Sequence, residues 1–113
     1  MADADCLFCK MIAGEIPADR VYEDEVAIAI RDINPQAPTH VLVIPREHIV
    51  DLRELGAHPD IAAPYISAIG KVANTLELTD FRTVFNTGAG VGQSVFHIHA
   101  HVLAGRPMGW PPG

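Results

Sequence analysis

Basic side chains are scarce in this sequence. Eight Lys and Arg stand against 14 Asp and Glu, a formal net charge of −6, which excludes a protein that grips nucleic acid by neutralising many phosphates. A single small anion is still open to it, because backbone amides and helix ends bind phosphate without a basic surface. Also missing is any apolar run near the about 18 to 20 residues that a membrane span requires. The first residues, MADADCLFCK, are acidic where a secretory signal is basic and then apolar. These absences predict a cytoplasmic protein with no nucleic-acid and no membrane partner. No repeat and no Ser-rich, Pro-rich or charged linker divides the chain, so residues 1–113 read as one domain, long enough and, at 49% apolar residues, oily enough to build its own core. Cysteine is nearly absent too. Cys6 and Cys9 are the whole complement, and a CxxC pair in a reducing compartment is more often a redox or metal motif than a structural disulfide.

Glycine and proline, nine of each, punctuate the chain without the period of collagen. Residues Met11 to Glu15 predict one or two helical turns ending at Gly14 and Pro17. VYEDEVAIAI, Val21 to Ile30, predicts two short β segments around the acidic turn Glu23, Asp24, Glu25, followed by turn chemistry from Asn34 to Pro38 and a β-rich run from His40 to Pro45. Ile61, Tyr65, Ile69, Val72 and Leu76 recur at helical spacing and predict one long helix over Ile61 to Leu78, with Pro64 in its first turn, where a missing N–H costs little. Phe81 to Asn86 and Ser94 to Leu103 read as the last two strands, joined by the Gly-rich stretch Thr87 to Gln93. Strands that follow one another through short turns, with one helix crossing, imply an α+β fold with an antiparallel sheet.

Histidine is plentiful by comparison: there are six. His97, His99 and His101 alternate with Phe96, Ile98, Ala100 and Val102, so a strand here puts the imidazoles on one face and the apolar set on the other. At the rise of a straight strand the outer two lie about 13 Å apart, too far to chelate one ion. More than one job is therefore expected of the three. A histidine whose Nδ1–H is held by an acceptor presents its Nε2 lone pair as a nucleophile; the plain alternative is a set of half-buried histidines bonded to backbone. The loop Asn86 to Ser94 offers amides with few side chains in the way, which suits a phosphate, although it also reads as an ordinary connection. Its GxGxG, Gly88 to Gly92, lacks the strand, helix and acidic residue that a dinucleotide fingerprint needs.

HIHAHVL resembles the HxHxHxx signature of the histidine triad superfamily. The resemblance extends to LFCKMIAGEIPA (7–18), RDINPQAPTHVLVIPREHI (31–49), NTGAGVGQSVFHIHAHVLAGR (86–106) and the ending MGWPPG, nearly the whole chain. It is nearest to the histidine triad nucleotide-binding branch, the purine nucleoside phosphoramidases. The resemblance implies a five-stranded antiparallel sheet with one long and one short helix, paired in a homodimer across a ten-stranded sheet. It implies hydrolysis of the P–N bond of purine nucleoside 5′-phosphoramidates, with His99 as nucleophile in a nucleotidyl-histidine intermediate and His101 supporting it. Asn86, Gly92, Gln93, Ser94 and Val95 match positions that hold the phosphate, and Ser94 also matches one that bonds the leaving amine. Asp32 resembles the ribose carboxylate; its short acceptor-only side chain suits two vicinal hydroxyls, and it equally suits a turn before Asn34 and Pro35. Leu7, Phe8, Met11, Ile30 and Ile33 match the slot for the purine base, or are plain core.

Cys6, Cys9, His48 and His97 resemble the Cys2His2 zinc site of many bacterial-type members, and loss of that ion is expected to reduce stability more than chemistry. The cysteines depart from animal phosphoramidases, whereas the MGWPPG tail is like theirs. In the family this tail reaches the partner's active site, so Trp110 is a candidate leaving-group contact, or a dimer-packing aromatic. Two other functions compete: a dinucleoside polyphosphate hydrolase, which shares the triad, and a nucleotide-binding scaffold dimer that needs no turnover.

Overall fold

A computed structural model describes residues 3–113. Five antiparallel strands form one sheet in the order β1-β2-β3-β5-β4: β1 Arg20–Glu23, β2 Ala27–Arg31, β3 Thr39–Pro45, β4 Arg82–Val84 and β5 Ala100–Ala104. The expected α+β fold with a five-stranded antiparallel sheet is present. Three α-helices accompany it, α1 Leu7–Ile12, α2 Leu52–Gly56 and the long α3 Pro59–Thr75. Among the described residues no helix is long and apolar enough to cross a membrane.

Both faces of the sheet are covered. In β2 the small residues Ala27 and Ala29 face α3 and pack with Val41, Val43, Tyr65, Ala68, Ile69 and Val72. Their neighbours Ile28 and Ile30 face the other way, where Leu42, Ile44 and Phe8 of α1 form a second cluster. Small side chains under the long helix let it approach closely, and each large aliphatic group so buried contributes about 1.5–3 kcal/mol. Tyr65 is wholly buried and its hydroxyl donates to the Val43 carbonyl at 2.7 Å.

Several boundaries differ from the expectations, each for a local reason. The first helix runs over Leu7–Ile12 rather than Met11 to Glu15, because the Cys6 thiol caps it by accepting from the Cys9 N–H. Its far end is closed by Arg20, whose guanidinium donates to the Met11 and Ile12 carbonyls. The long helix starts at Pro59, which takes the first-turn position expected for Pro64; Pro64 lies inside the helix. The short helix α2 was not expected. Its signal is Asp51-x-x-Glu54: the Asp51 carboxylate accepts from the Glu54 N–H, and Glu54 accepts from the Val50 N–H.

The largest departure is the last strand, which begins at Ala100 and not at Ser94. Pairing of β3 with β5 reaches Val43 opposite Ala100, so the next hydrogen-bonded pair, two residues on, would be Pro45 with Ile98. Pro45 has no N–H to give, its carbonyl accepts from the His97 ring, and the Ile98 N–H turns to the Ile49 carbonyl instead. Residues 94–99 therefore bend away from the sheet, and Phe96, expected on the apolar face, is 50% exposed.

Replacing Tyr65 by Phe is expected to cost about 1 kcal/mol, the net value of one buried hydrogen bond; a urea midpoint unchanged from wild type would contradict this account of the helix-to-sheet contact.

Candidate active site and metal centre

The bend at residues 94–99 distributes the three histidines among three surroundings. His97 turns to the thiols of α1. Its Nδ1 lies 3.4 Å from Cys6 Sγ, 3.5 Å from Cys9 Sγ and 3.2 Å from His48 Nδ1, while His48 Nδ1 is 3.3 Å from Cys9 Sγ. Zinc–sulfur bonds of about 2.3 Å and zinc–nitrogen bonds of about 2.05 Å, set tetrahedrally, place nitrogen about 3.3 Å from nitrogen and sulfur about 3.6 Å from nitrogen. These four contacts match the edges of a zinc tetrahedron, and all four ligand atoms lie within 4.8 Å of one another. Outer contacts fit the same role. His97 Nε2–H donates to the Pro45 carbonyl at 2.8 Å, the Cys9 N–H donates to Cys6 Sγ and the Asp3 N–H donates to Cys9 Sγ, which leaves His97 Nδ1 free for a metal. Burial holds the His97 pKa down to about 4 and pushes the Cys9 thiol up. The ring is ready to ligate, and the thiol needs a cation to displace its proton.

His99 is buried beneath the edge of Phe8, ring centres 5.0 Å apart. Its Nδ1–H donates to the His97 carbonyl at 2.9 Å, so its Nε2 carries the lone pair. Burial lowers its pKa, against the Asp32 charge, which raises it. This is a neutral imidazole with a fixed tautomer, the form that attacks an electrophile.

His101 is the one triad histidine within the sheet, opposite Leu42. His40, two residues along β3, reaches it diagonally: His40 Nε2 lies 2.9 Å from His101 Nδ1 and 3.4 Å from Asp32 Oδ2. The Gln36 N–H donates to His40 Nδ1, which assigns the only proton of neutral His40 to Nε2 and makes His101 Nδ1 the acceptor. The remaining proton of His101 is then on its Nε2. Asp32, His40 and His101 also have metal-like spacing, but a metal on His40 Nε2 would require the ring to lose the proton that Gln36 fixes there. The Gln36 N–H, His40 and His101 instead form a hydrogen-bond relay, with the Asp32 carboxylate beside it. Burial, then the neighbouring His99 and His40, hold the His101 pKa down to about 4.

The other expected site residues fall into two groups. Phe8, Met11 and Ile30 come together in the cluster beneath α1, whereas Leu7 is 40% exposed and Ile33 wholly exposed. Asp32 reaches the relay, yet its Oδ1 also accepts from the Asn34 N–H, so the turn role and the site role coexist. Gln93 is buried, and its amide is engaged by backbone groups: Oε1 accepts from the Gly88 N–H of its loop, and Nε2 donates to the Val50 and Val95 carbonyls. It shapes the loop with its side chain. Gly92, at φ +101°, supplies a left-handed turn beside Asn86. Ser94 is exposed and, with Val95, lines a groove of about 540 Å³ next to His48. Trp110 is 85% exposed on a tail tied down by Arg82, which donates to the Gly109 carbonyl.

Three functional groups escaped the sequence reading: His40, the Pro45 carbonyl and the His97 carbonyl. A period-two count puts His40 on the Leu42 face, but only the register of β3 against β5 brings it to His101. Backbone carbonyls leave no mark in a sequence at all.

The HIT domain family model matches residues 13–108. An uncharacterized HIT-like protein of Synechococcus elongatus is 47% identical over 111 residues, 96% of this chain and 97% of that protein. The 14 kDa zinc-binding protein of Zea mays is 45% identical, covering 98% of this chain and 90% of its own length. The crystal structure of a HIT family hydrolase from Legionella pneumophila superposes with a TM-score of 0.89 at 46% identity, over 96% of this chain and 100% of that one.

Metal analysis of the purified protein is expected to give about one zinc per chain, lost in a Cys6→Ala, Cys9→Ala variant; metal-free wild type would remove the site. A pH dependence of stability also follows. His101 titrates near 4 in the folded chain against an ordinary 6.5, so below 6.5 the unfolded chain binds the extra proton. Stability is full above 6.5 and falls as pH drops towards 4. The thermal midpoint is expected to fall over that window by less in His101→Gln than in wild type, and equal falls would count against the depressed pKa.

Proposed function

From the premise that the chain belongs to the HIT domain family, whose model spans residues 13–108, we propose that it hydrolyses the P–N bond of purine nucleoside 5′-phosphoramidates. The observation that carries this is His99: Nδ1–H bound to the His97 carbonyl, Nε2 bearing a lone pair, and a relay-supported second imidazole beside it, ring centres 5.0 Å apart. The name of the Legionella pneumophila relative, a HIT family hydrolase, supports the reaction class.

In the proposed reaction His99 Nε2 attacks phosphorus and the P–N bond to the amine breaks, the amine nitrogen taking a proton from solvent by way of the Ser94 hydroxyl, a proton that the attacking water gives back in the second step. Water then attacks the nucleotidyl-histidine, restoring the imidazole and releasing nucleoside monophosphate. Splitting the displacement lets the same donors serve both transition states. His101, neutral at pH 7 and protonated on Nε2 by the relay, is a hydrogen-bond donor to phosphate oxygen; its proton position is set from Gln36 through His40. Asn86, the Gly92 to Val95 backbone and Ser94 hold the phosphate, Ser94 also facing the leaving amine. Asp32 takes the ribose, and Phe8, Met11 and Ile30 flank the base. A zinc ion on Cys6, Cys9, His48 and His97 ties α1 to the sheet, in keeping with the name of the maize zinc-binding relative. The edge strand β4 is where a second copy would continue the sheet to ten strands and bring Trp110 towards its partner's site.

The test is AMP release from an adenosine 5′-phosphoramidate of a simple amine. Wild type is expected to turn over, and His99→Ala at equal folded concentration to lose about 10⁴-fold or more, the scale of removing a covalent nucleophile. Faster turnover of diadenosine tri- or tetraphosphate would move the activity to the polyphosphate branch. AMP binding without any turnover would favour a binding module.

A further inference from the structure

We infer that the Cys6, Cys9, His48, His97 cluster is the positioning device of the nucleophile as well as an anchor of the fold. This deepens the proposed reaction and rests on His99 being its nucleophile. His97 joins the two sites through both ends of one residue. Its ring Nδ1 faces the thiols and His48, its Nε2–H is held by the Pro45 carbonyl, and its own carbonyl receives the His99 Nδ1–H at 2.9 Å. The residue is wholly buried, so neither end moves alone.

A second link runs through α1. Phe8 sits between the two cysteines in sequence, and its ring meets His97 and His99 edge-on, at 6.0 and 5.0 Å between centres. Fixing the thiols therefore fixes Phe8 against the nucleophile. With the ligands unfastened, His97 Nδ1 and His48 Nδ1 are left with looser contacts of 3.2 to 3.5 Å to the two sulfurs and to each other, and no single point holds the His97 ring at that end. The tilt of the 97–99 segment, and with it the preference of His99 for an Nδ1 proton, loses its fixed reference. A cluster that served stability alone would leave the His99 tautomer untouched.

The experiment reads the tautomer directly, by nitrogen and proton NMR of the imidazoles in full-length protein, zinc-loaded and after chelation, with amide dispersion showing whether the stripped chain stays folded. His99 is expected to show one Nδ1–H tautomer when loaded and an averaged pair when stripped, while His101, held by the His40 relay, is unchanged. The accompanying kcat is expected to fall about 10-fold or more with KM nearly constant, the scale of losing an outer-shell contact at a metal site. An unchanged His99 tautomer in folded, metal-free protein overturns the inference. If chelation unfolds the chain, zinc and cadmium forms are compared: cadmium's longer bonds shift His97, so the His99 Nδ1–H resonance is expected to move further than that of His101, and equal shifts overturn the inference. The NMR readout does not need turnover, so an inactive wild type would defeat the proposed reaction while leaving this coupling separately decided.

Discussion

Proline at position 45 stops the ladder between β3 and β5, and the chemistry of the molecule depends on where that ladder stops. One pair further, and His97, His99 and His101 would form the straight row that their spacing describes, all in one environment. Pro45 withholds the N–H that the next pair needs, and its carbonyl takes the His97 ring. The strand then bends, and three identical side chains acquire three roles. His97 faces two thiols and an imidazole, His99 lies under Phe8, and His101 stays in the sheet beside His40.

Burial works together with hydrogen bonding at each of these positions. Desolvation is the largest influence on His97, His99 and His101 alike and drives all three below the ordinary histidine range. A lowered pKa only makes the ring neutral; it does not say which nitrogen keeps the proton. That choice comes from fixed backbone groups, the Pro45 carbonyl for His97, the His97 carbonyl for His99 and the Gln36 N–H, through His40, for His101. Neutral imidazole with an assigned tautomer is what ligation, nucleophilic attack and hydrogen-bond donation each require.

The fold was largely legible in the sequence because its signals are local or periodic. Ile61, Tyr65, Ile69 and Val72 fall on one helical face, and AIAI and VLVI are long enough apolar runs to be strands covered on both sides. The site was legible only in its side chains. Cys6, Cys9, His48 and His97 converge within 4.8 Å, a result that spacing alone could not deliver because His48 and Cys9 are far apart in the chain. The row of histidines misled, since period-two alternation says nothing about a proline on the partner strand. Gln93 misled in another way: a polar side chain next to glycines suits a phosphate, but its amide is consumed by Gly88, Val50 and Val95. Its contribution is to hold the shape in which the loop presents its backbone.

Holding shape is also what divides the sheet's two faces. The face under α3 is packed mainly by hydrocarbon, with the Tyr65 hydroxyl tied to the Val43 carbonyl, and it can be rigid without being chemically specific. The opposite face has six helical residues in α1 to cover it, too few to exclude water from the histidine strand by packing alone. Each end of α1 accordingly has a polar fastening: thiols and histidines at its start, the Arg20 guanidinium on the Met11 and Ile12 carbonyls at its end. Between the two fastenings sits Phe8, against His99. A short helix held at both ends can shield the His99 ring while leaving most of the adjoining loop, Gly88 to Ser94, open to solvent. A longer apolar helix would have sealed both.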